Sequence, residues 1–424
     1  MFSGSSLFPH WRRKAAERSS NSSYEVPFFL NAAYYPNWRI YRKQPPSALR
    51  LGFISHIFYA PYTETVVNQP AFFVHRVKED GTVYLSDEWA DAQMPVDGTN
   101  GCLRAFAQLK PQYSKMKLIL SVGGGGKGSE NFAQVARSQS RTETFARSAR
   151  ALVDQFGLDG IDGTCDGSQP LPPLSSWMRH VSIYFAENKV KLCACPKANQ
   201  PCAGPTVDWE YPSDPQEGSD YIRLLARLRE VLPAPRYVLA SCLPAGPWAL
   251  RNIDLSKAQL YLDLINIMAY DFSGPWENQS GHQAQLFSKH PAAISCQNSI
   301  SYILNQGVDP KKLLLGIPAY GRSFLGSSGA GQRYVGCGGE DGVFDYSQLP
   351  RPGAKEHHDS GLGAAYCVGG DGGFVTYDTP QTVQQKAKFV TKMKLGGLFY
   401  WHIGGDARGP RSLIETGYNT LHDM

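Results

Sequence analysis

At 424 residues the chain exceeds an ordinary single domain, but a closed α/β barrel with an insertion reaches that length as one catalytic unit. The formal charge of +5 and pI near 8.6 are mild, and the basic residues scatter except in the run HWRRKAAER from His10, so nucleic acid is not an expected partner. No apolar stretch has the length of a membrane span, and no apolar run of signal-peptide length follows the basic start. The expected location is therefore intracellular or non-classically exported, with the cell wall or extracellular space as the alternative.

In chain order, a polar tail occupies residues 1–26. Short β-rich apolar runs then alternate with helical patterns, the mark of βα units around a parallel sheet. Eight strand candidates stand out: PFFLNAAYY from Pro27, FISHIFYA from Phe53, MKLILSV from Met116, GLDGID from Gly157, YVLASCL from Tyr237, LDLINIMAY from Leu262, KLLLGIPAY from Lys312 and GGLFYW from Gly396. Eight parallel strands predict a (β/α)8 TIM barrel over 27–322 and 379–424, with its chemistry at the C-terminal strand ends. Before the fourth strand, Ser140 and Glu143 suggest a capping box, followed by an apolar stripe of Phe145, Ala149, Leu152, Val153 and Phe156. Gly157 is the stop. Residues 323–378, rich in Gly and short strand-like pieces, are expected to form a small α+β insertion domain between strands seven and eight, since a structureless loop of that length is unusual.

The fourth strand is interrupted. GLDGID and VDWEYP read as two halves of one motif, separated by Gly163 to Thr206, which include QPLPPL and CACPKANQPC and fit no barrel element. Joined, the halves give GLDGIDVDWEYP, in which Asp162, Asp208 and Glu210 alternate and so face one side of the strand. Carboxyl groups that close cannot all ionise comfortably, and the raised pKa suits a general acid. A splice donor GT fits the Gly163 codon from its second base, and an acceptor AG fits across Thr206 and Val207. Removing that stretch keeps frame and rebuilds a Val codon between Asp162 and Asp208. Residues 163–206 are therefore read as translated intron sequence, the alternative being a genuine insertion. Metal binding by His180, Cys193, Cys195 and Cys202 is not expected, because the spacing fits no familiar zinc pattern. The run PYTETVVNQPAFF from Pro61 is a second interruption without a clean splice pair.

With these motifs in view, the chain resembles glycoside hydrolase family 18 chitinases of the fungal type that carry an insertion domain. The family pattern Asp-x-x-Asp-x-Asp-x-Glu is matched by Asp159, Asp162, Asp208 and Glu210 once the interruption is skipped. SVGG (Ser121, Gly123 and Gly124 among its residues) closes the third strand, MAYD (Met268 to Asp271) the sixth, PAYGRSF the seventh, and Trp401 the eighth. The resemblance implies a substrate-assisted retaining glycosidase that needs no metal or other cofactor. Its expected partner is chitin or chito-oligosaccharides, and it is expected to be a monomer.

By the same resemblance, Glu210 is the acid and base, Asp208 orients the substrate's acetamido group, Asp162 shares its charge and proton, and Tyr270 holds the acetamido oxygen. Trp401, Asp271, Met268, Tyr320, Arg322, Trp276 and Trp38 are the implied sugar contacts. Asp159, Ser121, Gly123 and Gly124 are structural members of the motifs, and the glycines mark a tight strand end rather than a phosphate loop. No role is evident for His402. Two other readings remain open: a non-catalytic chitin-binding lectin, against which the presence of Glu210 argues, and an endo-β-N-acetylglucosaminidase, against which the insertion and the aromatic positions argue.

Overall fold

A computed structural model describes residues 29–60, 76–124, 131–164, 212–291 and 293–423. Asp208, Glu210, most of the 163–206 segment and the run from Pro61 lie outside the described residues. All eight expected barrel strands form: β1 (Leu30–Pro36), β2 (His56–Ala60), β3 (Lys117–Gly123), β4 (Gly160–Thr164), β5 (Val238–Pro244), β6 (Leu264–Met268), β7 (Leu313–Pro318) and, after the insertion, β13 (Gly397–Trp401). They pair in parallel around a closed circuit in which β13 bridges β7 and β1.

The two-residue period of each strand separates two apolar layers. Ala32, Tyr34, Phe58, Ile119, Ala240, Leu314 and Phe399 fill the barrel interior. Ala33, Tyr35, Ile57, Leu118, Ile161, Leu239 and Leu398 face the surrounding helices. Strand β4 begins at Gly160, where an added Cβ would come within 1.9 Å of the Val238 carbonyl oxygen. Only a glycine lets β4 and β5 approach there.

Helix α1 (Gln139–Phe156) delivers the chain to β4, burying Phe145, Ala149, Val153 and Phe156. Its cap differs from the expected box. The chain leaves extended conformation at Ser138, not Ser140, and the Ser138 hydroxyl accepts from the Arg141 amide, leaving Ser140 inside the first turn. Gly157 does stop the helix, in the left-handed region at φ 63°. The chain is next described as it enters helix α2 (Pro215–Val231), where Asp214 caps the Glu217 amide and Glu217 accepts from Ser213.

Between β7 and β13 lies a five-stranded antiparallel sheet of β8 (Tyr320–Phe324), β9 (Val343–Asp345), β10 (Lys355–Asp359), β11 (Ala364–Val368) and β12 (Phe374–Tyr377), in the order β9-β8-β12-β11-β10. The sheet starts at Tyr320, three residues before the expected boundary, so Tyr320 and Arg322 belong to the insertion. Its helical content is limited to 3-10 turns at Tyr346–Gln348 and Gly370–Gly372. The sheet is fastened where it rejoins the barrel. Helix α3 (Pro380–Lys392) buries Lys386, whose ammonium donates to Asp378 Oδ2 at 2.6 Å, while Thr382 donates to Asp378 Oδ1 at 2.6 Å.

Removing one member of a buried pair leaves the other charge uncompensated. The substitution Lys386→Met is accordingly expected to cost about 3–5 kcal/mol of stability in denaturant unfolding. A cost below about 1 kcal/mol would show that the pair is dispensable.

Candidate active site

The C-terminal ends of β3, β4, β6 and β13 converge on one inner face of the barrel. Asp162, third residue of β4, is fully buried. Its Oδ2 accepts from the Tyr34 hydroxyl at 2.7 Å and the Ser121 hydroxyl at 3.1 Å, and Tyr34 in turn accepts from the Asn266 amide at 2.9 Å. Oδ1 has no partner among the described residues. Burial pushes the Asp162 carboxyl up to about 7, because the two hydroxyl donors only partly offset the loss of water. Asp162 is therefore poised to hold or release a proton near neutrality, the property that the alternating acidic motif requires.

Tyr34 and Asn266 complete this network from β1 and β6 and were not singled out in the sequence. Their signal was position alone, an inward polar residue on an otherwise apolar barrel face. A second buried carboxyl was also missed. Asp91 accepts from the Tyr59 hydroxyl at 2.6 Å and the Asn37 amide at 2.8 Å, and burial raises it to about 7 as well.

Ser121 pairs with Asp162 across the β3–β4 ladder, and Gly123 pairs with Thr164. Gly123 and Gly124 sit at φ 100° and 118°, values open to glycine, so the tight strand end needs them. Asp159 lies at the opposite end of β4. It accepts from the Leu118 amide at 2.8 Å and pairs with Lys110 at 2.7 Å, which ties β4 to β3 away from the inner site.

Asp271 follows β6 with φ 58° and gathers two predicted residues: the Tyr320 hydroxyl donates to it at 2.6 Å and the Arg322 guanidinium at 2.5 and 2.7 Å. Burial opposes the Arg322 charge, but Asp271 outweighs it and holds the guanidinium above its usual value. The same guanidinium lies 4.6 Å over the Trp276 ring. Tyr270 is buried with its ring edge-on to Tyr320 and Phe399, and Met268 closes β6 inside the same apolar layer. Trp401 stands at the end of β13, half-buried, its ring 5.3 Å from Tyr34. Trp38 lies farther out, in the turn after β1. The described residues thus join Asp162, Tyr270 and Trp401 around the barrel mouth and Asp271, Tyr320, Arg322 and Trp276 in a neighbouring cluster. No group of His, Cys, Asp and Glu suited to a metal ion occurs among the described residues, and no described helix is long and apolar enough to cross a membrane.

One stability test isolates Asp162. Its folded pKa lies above the unfolded carboxylate value near 4, so the folded state holds the extra proton and stability falls as pH rises from about 4 to 7. The neutral Asp162→Asn variant should lack that term. Its melting temperature relative to the parent should rise across this window, and a pH-independent difference would mean that Asp162 does not titrate there. The contribution of Asp91 has the same sign but cancels in the comparison.

The family model for glycosyl hydrolases family 18 matches residues 31–163 and 184–406. Endochitinase 1 of Metarhizium robertsii is 30% identical over 419 residues, covering 93% of this chain and 85% of that protein. Sporulation-specific chitinase 2 of Saccharomyces cerevisiae is 25% identical, with 93% and 78% covered. Among solved structures, a family GH18 chitinase from Cycas revoluta in complex with allosamidin superposes with a TM-score of 0.68 at 25% identity, covering 92% of this chain and 99% of that one. The Group IV chitinase of Ostrinia furnacalis does so with 0.74 at 20% identity, covering 93% and 100%, which bears on the fold alone. A match that runs along the barrel on both sides of the interrupted strand, with a relative 30% identical and covered over 85% of its length, places the chain in glycosyl hydrolases family 18.

Proposed function

We propose that this protein is a chitinase that hydrolyses the β-1,4 bonds between N-acetylglucosamine units with retention of configuration. The observation that carries the reading is Asp162: a buried carboxyl on β4, raised to about 7 and held by Tyr34 and Ser121, within an acidic motif in a family 18 barrel. Retaining glycosidases ordinarily use a carboxylate nucleophile, and substrate-assisted enzymes are the exception. In that scheme the substrate's acetamido oxygen attacks the anomeric carbon while Glu210 protonates the departing glycosidic oxygen, leaving an oxazolinium ion. Water then adds to the anomeric carbon, Glu210 takes its proton, and the ring reopens. Asp208 orients the acetamido N–H, Asp162 shares charge and proton behind it, and Tyr270 holds the acetamido oxygen. Asp271 and Arg322 grip the sugar, with Trp401, Trp276, Tyr320 and Trp38 as contact surfaces and Met268 packed beneath.

The interrupted strand bears on whether the chain as written performs this reaction. The family match stops at 163, the first residue of the proposed insert, and resumes at 184, inside it. The unmatched stretch 164–183 supports reading that part of the segment as foreign to the barrel, whereas 184–206 falls within the resumed match and does not. The deciding experiment is hydrolysis of a chitin tetrasaccharide by the written chain and by a chain lacking that segment. Product of retained configuration supports the enzyme reading. Binding without hydrolysis by both chains would favour the lectin, and cleavage of glycoprotein glycans in place of chitin would favour the endoglycosidase.

A further inference from the structure

Three residues distant in the sequence, Arg39, Asp345 and His402, meet between Trp38, in the turn after β1, and Trp401, at the end of β13. Arg39 lies in the 3-10 turn Asn37–Ile40 and is only 2% exposed. Its Nη1 donates to Asp345 Oδ2 at 2.8 Å and its Nη2 to Asp345 Oδ1 at 2.5 Å. The same Nη2 lies 3.0 Å from His402 Nε2. A guanidinium has no acceptor and does not lose its proton in a protein, so the imidazole Nε2 is the acceptor and His402 is neutral. Burial, together with the charges of Arg39 and Arg42, holds the imidazolium pKa well below its ordinary value, in agreement with that assignment.

The imidazole ring is edge-on to both indoles, 5.3 Å from Trp38 and 6.1 Å from Trp401. Arg39 also lays its guanidinium 4.4 Å over Trp38. Asp345 belongs to the insertion sheet, at the end of β9, where it pairs with Tyr320 of β8. The backbone repeats the connection: Ala319 donates to the Trp401 carbonyl at 2.7 Å, and Tyr346 donates to Ala319 at 3.0 Å.

We propose that Arg39, Asp345 and His402 form a clamp that fixes Trp38 and Trp401 relative to each other and to the insertion sheet, and thereby favours sugar chains long enough to touch both indoles. This rests on the chitin-oligosaccharide reading above. The three are positioning residues, since they act through the tryptophans. His402 is the spacer, Arg39 the fastener, and Asp345 carries the position of the sheet into the barrel mouth. A planar guanidinium satisfies a carboxylate, an imidazole and an indole face together, which a lysine cannot do.

The test compares binding of the N-acetylglucosamine disaccharide and pentasaccharide to the full chain, by calorimetry and tryptophan fluorescence, in the parent and in His402→Leu, His402→Gln and Asp345→Asn. In His402→Leu, pentasaccharide affinity should fall about tenfold, the worth of one good aromatic contact, with the disaccharide little changed. His402→Gln keeps an acceptor for Arg39 and should recover most of the loss. Should His402→Leu fail to fold by circular dichroism, Asp345→Asn, which keeps size and removes the charge, carries the same expectation. Equal weakening at both lengths, or unchanged affinities in the folded variants, would overturn the clamp alone. If neither the unaltered chain nor the chain lacking Gly163 to Thr206 binds either sugar, the functional reading and the clamp fall together.

Discussion

Removing Gly163 to Thr206 should raise the rate of chitin tetrasaccharide hydrolysis by about 10²-fold or more, the usual contribution of a positioned general acid. Strand register sets this expectation. Residue 163 of β4 pairs with Val122 and Ser241, and residue 164 pairs with Gly123 and Cys242. After the deletion, Val207 takes the place of Gly163 and Asp208 that of Thr164. A Cβ added at Gly163 meets nothing within 4 Å, so a valine fits there, and alternation turns it toward the outer apolar layer while Asp162 faces the interior. The Ser241 hydroxyl, which donates to the residue 163 carbonyl at 2.9 Å, loses nothing, because any residue supplies that oxygen. Asp208 then faces the same side as Asp162, one pleat nearer the mouth, and Glu210 stands one pleat beyond. Equal rates for the two chains would show that β4 closes around a tolerated loop and that the written chain is the enzyme.

In that shortened chain, Glu210→Gln should lower hydrolysis by about 10²–10⁴-fold while leaving pentasaccharide binding within about threefold. An amide keeps the side chain's shape but cannot give up a proton to the leaving oxygen or accept one from water. The loss should therefore fall on kcat, with KM little changed. Retained activity would remove Glu210 from the mechanism, whereas joint loss of binding and hydrolysis would point to a structural role.

Much of the fold was legible because its cues are local. Strand β13 shows a bare apolar run after a glycine stop, and helix α1 shows a 3.6-residue stripe ending at Gly157. Neither needs the rest of the chain to be recognised. The start of α1 shows the limit: Ser138 and Ser140 are equally good caps by type, and the choice follows from where the preceding backbone leaves extended conformation. The insertion was legible as a separate unit by its length and glycine content. Its antiparallel order, with β8 beginning at Tyr320, depends on pairings of strands not adjacent in sequence, as when β8 lies between β9 and β12.

The sequence by itself determined the eight-strand alternation, the broken acidic motif and the strand-end residues Tyr270, Asp271 and Trp401, since periodicity and motif spacing are written along the chain. Only the tertiary structure decided which residues surround them. Tyr34 and Asn266 reach Asp162 because barrel closure brings β1 and β6 across the same interior, and Arg39 meets Asp345 and His402 because the insertion sheet folds back over the end of β13. Those contacts span up to several hundred residues of chain. Their physical cause is burial: a carboxyl, an imidazole and a guanidinium removed from water need fixed partners, and which partners are within reach is set by closure and packing.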